Sequence, residues 1–559
     1  MTATSATSDT TGGLTSVYAC PDGTPFPVEW KDPADAAHGW RWDQMHCPLP
    51  LTPLSMGLSE AIGDGFRRGA DALGSPARFE RAQAHGYRFT RSVPFTDDLE
   101  FRAMKQSREM ESRGERLLDL WNDEYRPEVE ALTTSLRSFD RPDLSLRQLV
   151  DRFDQVHAAR KRLGELHVYA MMPAQFAANR FIDFCIAELG PAGERLAGEL
   201  TQGFPNKSLE SANALWELSQ EAKERPEVGN VLRSHSGSAA VDSLGSVEGG
   251  RAFLELLDDF LDEYGLRNES FAELSLPTWR EDPSFPLYLL RSYLDAPDES
   301  SPAAMHERVA KRRQELTGET EGRLASDEEK LATFRAWQRS AQQRTVILED
   351  HNFYIDQRAF VSARVPCLAI GRRLAEQGAI DAAEDVFYLT EPQIQRAALD
   401  ATSRFQALVE ERRLERERWM HILPPSTIGD GSGELPVAMA RFFGPTHAEP
   451  QQDGVIKGIP ASAGVVRGTA RLVRTLGEVD RLARGEILVT YATAPPWTPL
   501  FAVAAAVVTD TGGMLSHCAV VAREYGIPAV VGSKVATQRI ADGALITVDG
   551  TAGTVRIEG

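Results

Sequence analysis

The chain has 559 residues, of which 42% are hydrophobic and 25% charged. A chain of this length is too long for one hydrophobic core, so the sequence predicts several folded domains. Its formal net charge of -20 at pH 7, with no Lys- or Arg-rich stretch, excludes nucleic acid as an expected partner. No apolar run reaches the roughly 20 residues of a membrane helix, and the scattered cysteines fit neither a disulfide framework nor a zinc site. We therefore expect a cytoplasmic protein that binds no membrane and no metal of its own.

The N-terminal part of the chain lacks a regular hydrophobic pattern. Residues 1–16 are rich in Ser and Thr and predict a disordered tail. Residues 17–95 concentrate Pro, Gly and Trp, as in WRWDQMHCPLPLTPLS, and predict an irregular lead-in segment packed on the next domain. His46 lies in this segment, and we interpret it, like His167 further on, as a packing residue.

Residues 96–420 have the texture of long helices. Ser145 and Gln148 have the spacing of a capping box, and the apolar residues that follow repeat at helical intervals. Ser326 with Glu329 predicts the start of another helix, which continues with little interruption toward Pro366. We therefore predict one large helical domain here.

The helical texture ends at a Pro- and Gly-rich stretch, HILPPSTIGDGSGELP, from His421 to Pro436. We predict that residues 421–454 are a linker, with the hinge of the molecule in this stretch. In residues 455–559, short β-branched runs alternate with turn signals, which predicts a compact α/β domain. The predicted fold class is thus multidomain α+β, with a large, mainly helical N-terminal and central domain before the α/β domain.

The clearest chemical signal is TDTGGMLSHCAVVAREYGIPAVVG, residues 509–532. A strand-like run leads into Gly512 and Gly513, whose conformational freedom permits a tight turn and a close approach to a phosphate. His517 falls in the first turn of the helix that follows, where free N–H groups and the helix dipole favour an anion. A neutral imidazole is a competent nucleophile toward a phosphoryl group. We predict that His517 accepts a phosphoryl group that the glycine amides, Ser516 and Thr509 hold.

This block resembles the mobile phosphohistidine domain shared by PEP synthase, pyruvate phosphate dikinase, rifampin phosphotransferase and phenylphosphate synthase. GIPASAGVVRGTARLV (Gly458 to Val473), GEILVTYATAPPWTPLF (Gly485 to Phe501) and ALITVDGTAGTVRI extend the resemblance over the whole C-terminal domain. The resemblance implies a swivelling domain in which His517 is the phosphorylated histidine.

The architecture is similar to the histidine-bearing subunit of phenylphosphate synthase, and to rifampin phosphotransferase without its ATP-grasp domain. Weaker likenesses to this branch lie in YGLRNESFAELSLPTWREDP, where Leu266 stands in place of a family histidine, and in RTVILEDHNFYIDQRAF and EDVFYLTEPQI. The chain ends at Gly559, directly after the histidine domain, and we recognise no ATP-grasp or PEP-binding unit in it. The resemblance then implies that a separate ATP-grasp subunit splits ATP to AMP and phosphate with Mg²⁺ and loads His517. It further implies transfer to a small hydroxyl acceptor such as a phenol.

Transfer to a hydroxyl requires a base and cations around the phosphoryl group. Arg344, His351 and Arg358 recur every seven residues of one predicted helix, so the arginines are predicted to bind the phosphoryl group. Candidates for the base, besides His351, are Glu349 and Asp350. The predicted substrate-binding residues are Arg267, Tyr354, Asp356 and Gln357. For the residues on the predicted helix the alternative is a solvated, salt-bridged helix face, and for Arg267, in a loop-like segment between helices, it is structural ion pairing.

Two other functions fit the same residues. Phosphorylation can activate the acceptor hydroxyl as a leaving group, in which case the net reaction is a dehydration. Alternatively, the chain is a phosphohistidine carrier or regulator without enzymatic activity. A relay alone does not require some 300 residues of helical domain with clustered ionisable groups, so the enzymatic reading is favoured.

Overall fold

The computed structural model describes residues 26–270, 272–431, 435, 437–444 and 454–558. The tail predicted for residues 1–16 lies outside the described residues. In the part of the chain that is described, no helix has the length and apolar character needed to cross a membrane.

Helices make up most of the chain before the last hundred residues. The first ten are α1 (Pro53–Ala72), α2 (Leu99–Glu115), α3 (Leu117–Leu120), α4 (Arg126–Arg137), α5 (Leu146–Asp151), α6 (Phe153–Leu189), α7 (Gly193–Glu199), α8 (Lys207–Lys223), α9 (Pro226–Ser234) and α10 (Gly237–Leu244). The others are α11 (Gly250–Tyr264), α12 (Ser284–Leu294), α13 (Pro302–Leu324), α14 (Glu328–His351), α15 (Arg364–Glu376), α16 (Glu391–Leu399), α17 (Gln406–Met420), α18 (Val437–Phe443), α19 (His517–Glu524) and α20 (Ala536–Arg539).

The strands form two sheets. The first sheet has the order β2-β3-β1-β4 and consists of β1 (Trp40–Trp42), β2 (Ala77–Ala84), β3 (Tyr87–Pro94) and β4 (Thr427–Ile428). The second has the order β5-β12-β11-β7-β8-β9-β10-β6 and consists of β5 (Val455–Lys457), β6 (Ile459–Ser462), β7 (Val465–Leu472), β8 (Ile487–Thr490), β9 (Ala506–Thr509), β10 (Ala529–Val531), β11 (Leu545–Asp549) and β12 (Thr554–Ile557).

The N-terminal segment is more regular than its composition predicts. It contains the 20-residue helix α1 and the β2–β3 hairpin, where we expected an irregular lead-in. Helix α1 packs along α6, and a Cβ on Gly65 would come within 2.0 Å of the Lys161 carbonyl. Glycine is therefore required at this close helix crossing. In the sequence Gly65 looks like a turn signal, but in the structure it allows α1 and α6 to pack closely.

Several predictions for the helical region are confirmed. Ser145 and Gln148 form the capping box at the start of α5, and Leu149 and Val156 on the predicted apolar face are fully buried. Helix α14 begins one residue later than predicted, because Asp327 rather than Ser326 caps it by accepting the N–H of Lys330. After His351 the helix widens into a π-helical turn, Asn352–Ala359, which changes the angular register of every residue beyond it.

The predicted linker is partly a strand. Within it, β4 pairs antiparallel with β1, so that Thr427 lies opposite Arg41 and Ile428 opposite Trp40. Residues 432–434, 436 and 445–453 lie outside the described residues. Helix α18, between these gaps, lies against the C-terminal domain.

The C-terminal α/β domain is confirmed. Strands β7, β8, β9 and β10 pair in parallel, and their β-branched residues fill a core of their own. The domain also shares a second apolar core with the helical region, to which the 3₁₀ helix Pro495–Ala502 and α19 contribute. The domain is thus docked on the helical region in this structure.

Candidate functional site

The predicted phosphate loop is a tight turn between β9 and α19. Gly512 has a φ of 100°, and a Cβ there would lie 2.7 Å from Oγ of Ser516, so only glycine fits. Ser516 is the N-cap of α19, and its Oγ accepts the N–H of Ala519. Thr509 Oγ1 donates to the Thr511 carbonyl at 2.7 Å. The loop therefore presents His517 in the first turn of α19, as the sequence predicts.

His517 is buried, with 8% of its surface exposed. Its Nε2 lies 3.3 Å from Oγ1 of Thr498, whereas its Nδ1 has no hydrogen-bond partner among the described residues. Burial lowers the pKa of His517 to about 3, and the backbone of Ala494 opposes this only in part. The ring is thus neutral at physiological pH, which is the nucleophilic form.

Helix α18 covers the glycine loop. The N–H of Gly513 donates to the Phe442 carbonyl at 3.1 Å, and the N–H of Leu515 donates to the Arg441 carbonyl at 2.7 Å. Two amides of the predicted phosphate loop are therefore engaged by α18 in this conformation. Arg441 fixes α18 in turn, because its guanidinium bonds Asn179 Oδ1 at 3.0 Å and Asp183 at 2.8 Å on α6.

The far end of α19 enters the helical region. Glu524 accepts the N–H of Gly203 at 3.1 Å, and Tyr525 is buried with a hydroxyl that has no partner among the described residues. Glu349 lies close to this end. Burial raises the pKa of Glu349 to about 8, and the negative charges of Glu524 and Asp350 contribute to the same shift. Glu349 is therefore near the end of α19, at the face of the helical region on which the C-terminal domain docks (the docking face), and it carries a proton at neutral pH.

Arg267 lies in the same interface. Its guanidinium lies 3.8 Å from the ring centre of Trp279, and it donates to Ser211 Oγ and, at 3.4 Å, to Oε1 of Gln357. Burial lowers the pKa of Arg267 to about 9, and its charge acts on the Tyr525 hydroxyl. The structure therefore brings two predicted substrate-binding residues, Arg267 and Gln357, to the docking face.

Other predicted residues point elsewhere. Asp350 accepts the N–H of Lys207 at 3.0 Å at the start of α8, and Tyr354 packs against Trp121 with ring centres 6.0 Å apart. Nε of Arg344 donates to the Gly114 carbonyl at 2.9 Å, which ties α14 to the end of α2. Within the residues that the structure describes, none of these three side chains forms a hydrogen bond with His517 or the glycine loop, so a chemical role for Asp350, Tyr354 and Arg344 stays a prediction.

The predicted stripe of Arg344, His351 and Arg358 does not converge on one ligand. The π-helical turn separates Arg358 from the helical register of the other two, and Nε of Arg358 is buried without a partner in the described part of the chain. His351 instead joins a buried triad with His167 and Asp356. Residues at seven-residue intervals share one face only on an uninterrupted α-helix. The amino-acid composition does not mark the π-helical turn that interrupts this helix.

The buried triad links α6 to the π-helical turn. Nδ1 of His167 lies 2.9 Å from Oδ1 of Asp356, and Nε2 of His351 lies 3.9 Å from Oδ2 of the same carboxylate. Burial lowers the pKa of His351 to about 4, and the neighbouring His167 contributes to the same shift. His46 is near enough for its charge to lower the pKa of Asp356.

Sequence reasoning did not single out Thr498, and it interpreted His167 and His46 as packing residues without placing them near Asp356. His167 and Asp356 are separated by 189 positions, so spacing does not join them. Thr498 lies in the Thr-Pro-Leu stretch that we quoted for the resemblance, and this stretch was the available signal. The π-helical turn that carries Asp356 packs against the 3₁₀ helix that carries Thr498.

Comparison with known proteins agrees with this geometry. Residues 482–553 match the family described as the mobile domain of PEP-utilising enzymes, and residues 167–348 match the fourth domain of rifampicin phosphotransferase. Over 552 residues, 95% of this chain, the sequence is 37% identical to a chondramide synthase of Chondromyces crocatus, of which it covers 14%.

Two further relatives are phosphotransferases by name. The chain is 30% identical over 450 residues to the uncharacterized phosphotransferase YvkC of Bacillus subtilis, with 79% of this chain and 53% of YvkC covered. It is 33% identical over 384 residues to rifampicin phosphotransferase of Streptomyces sviceus, with 65% of this chain and 42% of that protein covered. The chain thus spans about half or less of the length of these relatives.

Proposed function

We propose that this chain, which joins a rifampicin phosphotransferase-type region to a mobile domain of PEP-utilising enzymes, carries a phosphoryl group on His517 and transfers it to a small hydroxyl acceptor. The observation that carries the proposal is His517 itself, a neutral imidazole at the start of α19 behind a glycine turn, inside the segment that matches the mobile domain. A nitrogen lone pair attacks the phosphorus of the donor, and the acceptor oxygen later displaces the imidazole.

The donor in this proposal is ATP, split to AMP and phosphate with Mg²⁺ on a separate ATP-grasp partner. Because His517 is buried and α19, which carries it, packs against α7 and α13 of the helical region, it has to leave this position to reach a nucleotide on another polypeptide. The interface supports such movement. Among the described residues, the Tyr525 hydroxyl and the Arg267 Nε in this interface have no hydrogen-bond partner, and each unsatisfied group costs about 1–3 kcal/mol.

The acceptor in this proposal is phenolic. Aromatic side chains line the docking face of the helical region, and Arg267 and Gln357 supply a few polar anchors among them. An aromatic surface with a few polar anchors suits a flat apolar ring with one or two polar groups.

The experiment combines the purified chain with its ATP-grasp partner, Mg-ATP and a panel of phenols. We expect AMP and a phosphorylated phenol, both detected by mass spectrometry, and neither from His517→Ala. A dehydrated compound in place of a phosphate ester would favour the dehydration alternative. Product formation that survives His517→Ala would overturn the proposal.

A further inference from the structure

The buried triad of His167, His351 and Asp356 has the donor set of a transition-metal site. Its three side chains come from α6, from the end of α14 and from the π-helical turn, and each is at most 6% exposed. One candidate ligand atom from each residue lies within 4.8 Å of the others. Two imidazole nitrogens and a carboxylate oxygen are ligands that suit Zn²⁺, Fe²⁺ or Mn²⁺.

The orientation of His351 is that of a metal ligand. Its Nδ1 lies 2.9 Å from the Ile347 carbonyl, and because a carbonyl only accepts, Nδ1 carries the ring proton. The lone pair is then on Nε2, which faces Asp356. Metal-binding histidines characteristically donate their other N–H to a backbone carbonyl or carboxylate in this manner.

The distances between ligand atoms also fit. Ligands about 2.0–2.1 Å from a tetrahedral ion lie about 3.4 Å apart. The two measured separations around Asp356, 2.9 Å to His167 and 3.9 Å to His351, lie on either side of this value. These two distances are to different carboxylate oxygens, and one ligand atom from each residue lies within 4.8 Å of the others, so side-chain shifts of roughly an ångström would bring the atoms to coordination distance.

We propose that His167, His351 and Asp356 bind one divalent transition-metal ion such as Zn²⁺. Nδ1 of His167, Nε2 of His351 and a carboxylate oxygen of Asp356 are the ligands. For a neutral His167 ring, the proton moves from Nδ1 to Nε2 on binding, and no net proton is released. The ion and Asp356 together carry a net charge of +1, so the remaining coordination position favours an anionic oxygen, such as hydroxide or a phenolate.

The position of the triad suggests what such an ion would do. The π-helical turn with Asp356 packs against the 3₁₀ helix whose Thr498 lies 3.3 Å from His517. An ion here would lie in the helical region, beside an element that packs against the segment carrying Thr498, and it would lower the pKa of an acceptor hydroxyl that reached it. Metal binding itself does not depend on the phosphotransfer proposed above and can be tested without it.

The test is titration of the chelator-treated, full-length chain with Co²⁺ alone, followed by d–d absorption, and with Zn²⁺ by calorimetry. We expect one ion per chain and Co²⁺ bands of nitrogen and oxygen ligation. The variants Asp356→Asn and His351→Gln should each weaken metal binding by at least about tenfold. This is the lower end of the loss that follows from mutating residues that only hydrogen-bond to a metal ligand.

His157→Gln is the matched control, because His157 pairs with Glu391 at 2.9 Å and belongs to no group of three possible ligands in the described part of the chain. This variant should bind metal like the unaltered chain. Circular dichroism establishes that each variant is folded. The unaltered chain alone already decides the question. If it is folded and takes up no stoichiometric Co²⁺ or Zn²⁺, or if the triad variants bind as tightly as the control, there is no metal site.

Discussion

Burial determines the chemistry available to His517. Out of water, the imidazole keeps its lone pair over the whole neutral pH range, and the domain loses stability if the ring takes up a proton. The pKa of about 3 in the folded chain lies below the ordinary value of 6.5. The neutral ring therefore makes its full contribution to the free energy of unfolding above pH 6.5. Below pH 6.5 the unfolded chain binds a proton that the folded chain does not, so the free energy of unfolding falls.

A neutral substitution measures this effect. Between pH 7.5 and pH 5.5 the unaltered chain should lose about 1.4 kcal/mol more unfolding free energy than His517→Gln, because only the former has this ring to protonate. Urea unfolding at both pH values gives the difference. An equal loss in the two proteins would mean that His517 is exposed to water in solution.

The phosphoacceptor could be identified from sequence because its determinants are local. The glycine turn, the Ser516 cap and His517 lie within six positions, so the chemistry of a helix start is visible in the residues themselves. The triad could not be identified, since His167 reaches Asp356 only after α6 has packed against α14. Long-range packing of this kind leaves no spacing in the sequence.

At the scale of elements, α18 and α19 determine what the glycine loop can bind. Helix α18 places its Arg441 and Phe442 carbonyls on the loop amides, so a phosphoryl group and α18 compete for the same donors. The sequence predicted a linker here from Pro and Gly content. It gave no sign that part of that linker pairs as β4 or that α18 packs on the loop, because both depend on partners far away in the chain.

Releasing α18 should expose His517. Arg441→Ala removes the contacts to Asn179, Asp183 and Glu194. Asp183 is well exposed and Glu194 is partly exposed, so we take a cost of about 1 kcal/mol. The rate of His517 carbethoxylation by diethyl pyrocarbonate, followed by peptide mass spectrometry, should rise about fivefold.

Arg335→Ala is the control for that measurement. Arg335 is exposed and pairs with Glu321 of α13, so its loss should leave the rate unchanged. If Arg441→Ala also leaves the rate unchanged, α18 does not guard the loop.

At the scale of the whole molecule, the phosphohistidine domain and the helical region share an apolar core but meet through buried acids. Glu349 and Glu524 lie across this interface, and the pKa of Glu349 is raised to about 8 by burial and then by Glu524 and Asp350. A carboxyl whose pKa is raised in the docked state stabilises docking fully below its ordinary pKa of 4.5. This contribution falls as the pH rises and is lost above about pH 8.

Docking should therefore weaken in alkali. Small-angle X-ray scattering should show a larger radius of gyration at pH 9 than at pH 6.5 for the unaltered chain, since ionised Glu349 repels Glu524. Glu349→Gln, which cannot ionise, should keep the compact value at both pH values. If both proteins expand equally, the acids do not control docking.

The phosphorylation of His517 is the most direct measurement of the proposed function. The chain is incubated with Mg-ATP and its ATP-grasp partner, quenched in alkali, where phosphohistidine persists, and analysed by peptide mass spectrometry. We predict one phosphoryl group on the peptide that contains His517, and none anywhere on His517→Ala. A phosphoryl group on another residue, or equal labelling of His517→Ala, would contradict the assignment of His517 as the carrier.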